Sequence, residues 1–80
     1  MTKVHITLSK DAARSPERVR RLRDLAWELA GLTNVNERRL ARYGVLTGEV
    51  REECVPRLRD LEDVQEDVQA VDVDGLKKAL

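Results

Sequence analysis

The feature that most constrains this chain is a change of hydrophobic period within its first thirty residues. In "KVHITLS", Val4, Ile6 and Leu8 alternate with His5, Thr7 and Ser9. A period of two in β-branched residues specifies a half-buried strand. From Pro16 to Ala30 the period becomes helical, and Val19, Leu22, Ala26, Leu29 and Ala30 form a stripe that Leu25 and Trp27 widen or flank. Ser15 suits the N-cap, Pro16 the first helical position and Gly31 the left-handed residue after the last turn. The intervening "KDAARSPE" reads as a loop.

The same alternation of periods returns downstream. "LTNVNERRL" reads as an edge strand, because charged side chains discourage pairing with another chain. "ARYG" is then a turn into "VLTGEV", where Leu46, Gly48 and Val50 face the core and Gly48 makes room for a close-packed helix or marks a bulge. A second helix is expected over about 52–65, with Val55, Leu58, Leu61 and Val64 inward and Pro56 in its first turn. "VQAVDVD" is the last strand, with Val71 and Val73 inward and Asp72 and Asp74 outward. The order strand, helix, strand, strand, helix, strand is the split βαβ plan of α+β proteins. It predicts a four-stranded antiparallel sheet in the order 4-1-3-2, two helices on one face, and one domain over residues 1–80.

Eighty residues bury a thin core, and the single cysteine permits no internal disulfide. No segment approaches the roughly 20 apolar residues of a membrane span, and the N-terminus lacks the apolar run of a signal peptide. A cytoplasmic protein is expected. Formal net charge is zero, yet residues 1–42 hold ten Lys/Arg against five Asp/Glu and residues 43–80 the reverse. Such asymmetry suits two ordinary solvated helix faces, a partner surface of mixed sign or self-association.

Chemistry-bearing residues are sparse. His5 has no second histidine beside it, and Cys54 lies on a different element behind Glu52 and Glu53, whose charges oppose thiolate formation. Asp72 and Asp74 share a face but are too few for a calcium site. "GVLTG" lacks the Lys and the following helix of a phosphate loop. No catalytic residue, metal or cofactor is expected, and the chain reads as a non-enzyme. Nucleic-acid binding would have to rest on Arg18, Arg20, Arg21, Arg38, Arg39 and Arg42 without an aromatic sheet face, and is disfavoured.

"KVHITLS", "GLT", "YGVLTGEV", "LRDLEDV" and "DVQAVDVD" together resemble the subtilisin-propeptide-like inhibitor family, over residues 3–74, and especially its small stand-alone bacterial proteins. The resemblance implies a ferredoxin-like α/β sandwich that inhibits or helps fold a subtilisin-like serine protease. It implies that Gly75, Leu76, Lys77, Lys78, Ala79 and Leu80 form a tail entering the protease cleft, and that Glu49, Asp72 and Asp74 lie on or beside the docking face. Lys77 departs from the apolar residue that such proteases favour four positions before the tail's end. With no protease domain following, action in trans is expected.

Overall fold

The computed structural model describes residues 1–74. Strand β1 (Thr2–Leu8) is central, flanked by β2 (Val45–Val50) and β3 (Val68–Val73), both antiparallel to it. Helices α1 (Lys10–Arg14), α2 (Pro16–Ala30), α3 (Glu37–Tyr43) and α4 (Val55–Val64) complete the described chain, α4 being preceded by a 3₁₀ turn at Glu52–Cys54.

The core follows the sequence pattern except at Leu29 of the α2 stripe, which is exposed. Val4, Ile6 and Leu8 of β1, Leu46 and Val50 of β2 and Val68 and Val71 of β3 are buried against Leu22, Ala26 and Ala30 of α2 and Leu58 and Leu61 of α4. Both Val68 and Val71 face inward because the register slips by one residue beside Thr7 and Leu8, the signature of a bulge. The α2 boundaries are those the sequence specifies. The Ser15 hydroxyl accepts the Arg18 amide at 3.4 Å, and Gly31 closes the helix at φ 67°.

Four expectations are corrected. The sheet has three strands, not four: of residues 32–40 only Thr33 pairs with the sheet, bridging to Glu49. Asn34 turns to φ 53°, which ends the extended run, and the Asn36 side chain accepts the Arg39 amide and starts α3. The remaining order β2-β1-β3 is that of strands 3-1-4 in the expected plan, with the Thr33 bridge on the side where strand 2 would lie. The second correction concerns the helices, four and not two among the described residues: "KDAARSPE" is not a plain loop, because Ser9 caps the short helix α1 by accepting the Ala12 amide at 3.2 Å, and α3 takes in most of the expected "ARYG" turn. In the third, Gly48 admits no helix. A Cβ there would lie 2.7 Å from both Leu32 Cδ1 and the Thr33 carbonyl oxygen, so the glycine makes room for the segment that bridges to β2. The fourth concerns Val64, which is 69% exposed and not part of the core, because α4 ends there and Gln65 is already extended.

Both sheet edges are occupied. Beyond β2, Thr33 exchanges two backbone hydrogen bonds with Glu49, and the Asn36 amide donates to the Thr47 carbonyl. Beyond β3, the Val71 amide donates to the Glu62 carboxylate of α4. Each engaged group is one fewer in the row that templates strand addition.

Candidate functional site

Alternation sends one set of side chains into the core and the other to the opposite face. That second set is Lys3, His5 and Thr7 on β1, Val45, Thr47 and Glu49 on β2, and Asp72 on β3. Asp74 follows β3 on the same parity. The face is polar and carries none of the buried hydrophobic cluster.

His5 organises it. Its Nδ1 lies 3.0 Å from Thr47 Oγ1, and its Nε2 lies 3.1 Å from Asp74 Oδ2. Thr47 is the direct cross-strand partner of His5, whereas Asp74 lies two residues beyond its partner Asp72, a diagonal that a ring can span. The Asp74 amide also donates to the Lys3 carbonyl at 2.9 Å. The chain therefore leaves β3 from a point fixed to the central strand through both backbone and side chain.

A hydroxyl, an imidazole and a carboxylate in series are the groups of a nucleophile, base and orienter. The setting differs from that of an attacking group. Thr47 is only 5% exposed, and its hydroxyl is occupied by the ring. Both ring nitrogens are already satisfied, and the arrangement accommodates either protonation state: Thr47 Oγ1 donates to a neutral ring and accepts from a charged one. The physical effect is to fix side chains and the end of β3.

Of the expected docking residues, Glu49, Asp72 and Asp74 do share this face. Glu49 sits on one flanking strand beside Lys3, with its carboxylate accepting the Asn34 side-chain amide at 2.7 Å. Asp72 sits on the other, opposite His5. Carboxylates thus flank a central cationic or neutral row. The expected tail, Gly75 to Leu80, lies outside the described residues. Sequence reasoning missed the His5–Thr47 contact. Parity places both on one face, but only the register sets them opposite each other.

Cys54 is half-buried at the junction of the 3₁₀ turn and α4, apart from His5 in the fold. Among the described residues, no three His, Cys, Asp or Glu are grouped to hold a metal ion. None of their helices is long and apolar enough to cross a membrane. A cleft of about 660 Å³ lies on the exposed side of α2, where Glu17, Asp24 and Glu28 offset Arg20 and Arg21. Arg18 and Arg23 are also neutralised, by Asp67 at 3.7 Å and Glu37 at 2.9 Å. The basic run "RVRRLR" is therefore interleaved with acids in space. No family model, curated protein or solved structure matches the chain.

Proposed function

We propose that the chain is a non-enzymatic binding module that presents its polar sheet face and the segment after Asp74 to a partner protein. The partner favoured by the family resemblance is a subtilisin-like serine protease, inhibited or assisted in folding in trans. The observation that supports this reading is the double attachment of Asp74, to the His5 ring and to the Lys3 carbonyl. A peptide leaving an anchored point loses less entropy on docking in a cleft than one leaving a frayed strand. Extended backbone pairing in the cleft would then contribute affinity with little dependence on side chains. The occupied edges of the sheet favour contact through its face and through the tail over strand addition at β2 or β3. Lys77 weakens the fit, so inhibition is modest and temporary.

The test titrates the intact chain, and one ending at Asp74, against a subtilisin-type enzyme with a chromogenic substrate. The intact chain should inhibit and the shortened one should lose most of its potency. Equal potency would refute the tail mechanism, and no inhibition by either at high micromolar concentration would refute the protease reading.

A second reading is self-association through the same face. The register sets Lys3 opposite Glu49 and His5 opposite Asp72, so the surface carries both signs in alternation and can meet a copy of itself. Light scattering at low and high salt separates this from a monomer.

A further inference from the structure

A cleft of about 300 Å³ separates α1 from the end of α3, and its charge is one-sided. Lys10 and Arg14 border it from α1, and Arg42 and Tyr43 from α3. No Asp or Glu lines it, and among the described residues none of these three cations has an ion-pair partner. Asp11 belongs to α1 but not to the cleft, and Glu37 is engaged by Arg23. Lys10 and Arg14 are four residues apart, so they stand on one face of α1. Arg38 and Arg42 stand in the same relation on α3. Like charges at this spacing oppose helix formation. Arg38 does not line the cleft, so three cations, Lys10, Arg14 and Arg42, border it, and no acid does. A cleft bordered by charge of one sign favours a ligand of the other.

The other walls identify the occupant. Leu8, Ala13 and Leu40 supply apolar surface, and the Tyr43 ring is 64% exposed at the rim. An apolar floor and a free aromatic face among cations suit a ligand that alternates planar rings with anionic groups. We propose that this cleft binds single-stranded nucleic acid, with Lys10, Arg14 and Arg42 contacting phosphates and Tyr43 stacking on a base. The arginines of α2, balanced by their own acids, take no part. This site is independent of the sheet face and of the segment after Asp74.

The experiment measures the fluorescence anisotropy of a labelled oligouridylate of about 12 nucleotides with the intact chain. Binding should be detectable at low salt. Three phosphate contacts on a single strand should cost about 18-fold in affinity between 50 and 200 mM salt. In Lys10→Gln/Arg14→Gln, an exposed pair whose loss leaves the core untouched, that ratio should fall to about 3-fold. Tyr43→Ala should weaken binding about tenfold through lost stacking, while Arg20→Gln/Arg21→Gln should leave it unchanged. No anisotropy change at low salt overturns the proposal, as does equal weakening by the α2 pair. Displacement of the probe by polyglutamate of equal charge, together with an unaffected Tyr43→Ala, also overturns it and assigns the cleft to acidic peptides. Far-UV circular dichroism on each variant confirms that the comparison is between folded chains.

Discussion

His5 Nε2 lies 3.1 Å from Asp74 Oδ2, so the central strand grips the chain where it leaves the sheet. The other ring nitrogen engages Thr47 across the opposite strand pair. One side chain thus ties all three parts of the sheet face together. His5→Phe keeps the ring but leaves the buried Thr47 hydroxyl without its partner. An unsatisfied buried hydroxyl costs about 1–3 kcal/mol, which should appear as a lower urea midpoint with an unchanged slope. Thr47→Val added to His5→Phe should recover part of that loss, because both polar groups are then gone. A double variant less stable than His5→Phe alone would show that the contact is incidental.

Gly48 carries a different constraint. Its φ is ordinary, so the argument concerns space and not backbone strain. Cβ in Gly48→Ala would meet Leu32 Cδ1 and the Thr33 carbonyl oxygen at 2.7 Å, and the carbonyl cannot rotate away. The Thr33–Glu49 bridge has to open to admit it. Overpacking of this kind costs about 1–3 kcal/mol. Hydrogen exchange should localise the effect, with the Thr33 and Glu49 amides losing protection before those of β1. Uniform loss of protection across the sheet would contradict this account.

These two sites show how far the sequence carries the fold. Helix α2 is legible to the residue because Ser15, Pro16 and Gly31 each act locally, through capping, fixed φ and left-handed backbone. The faces of β1 and β2 are legible because alternation is also local. Residues 32–40 mislead because charge and asparagine are consistent with an edge strand and with a capped helix. Asn36 decides the matter by accepting the Arg39 amide, and "ERRLARY" then follows its helical propensity. The His5 array requires the pairing register, which no single segment contains. The cationic cleft requires the approach of α1 to α3, where the Gly44 amide and carbonyl tie the end of α3 to Leu40 and Leu8. Charge counting alone singles out the arginines of α2, of which the folded chain pairs Arg18 and Arg23 with Asp67 and Glu37 and sets Arg20 and Arg21 among Glu17, Asp24 and Glu28.

Leu58 and Leu61 dominate the α4 contribution to the core, at 0% and 1% exposure, while Val64 of the same expected stripe is 69% exposed. Leu58→Ala should therefore cost about 2–5 kcal/mol, a large share of the stability of an 80-residue domain. Val64→Ala should change stability by less than about 0.5 kcal/mol, as an ordinary surface substitution does. Thermal melts of the two variants test the placement directly. Comparable losses would mean that α4 continues past Val64 and buries its last turn.

Glu62 is exposed, yet it accepts the Val71 amide at the outer edge of β3. The contact does two things. It satisfies a backbone donor that would otherwise face solvent or another chain, and it fixes α4 against the strand that follows it. Glu62→Ala should lose about 1 kcal/mol, the net worth of a hydrogen bond to a charged acceptor at a partly wet site. The larger consequence should be colloidal. With the donor free, the β3 edge becomes a template for intermolecular pairing. The variant should show concentration-dependent association by light scattering that high salt does not dissolve, because backbone pairing is not screened as surface charge is. Glu62→Gln retains an acceptor oxygen and should restore the monomer. If Glu62→Gln associates as strongly as Glu62→Ala, the protective element is the negative charge and not the hydrogen bond.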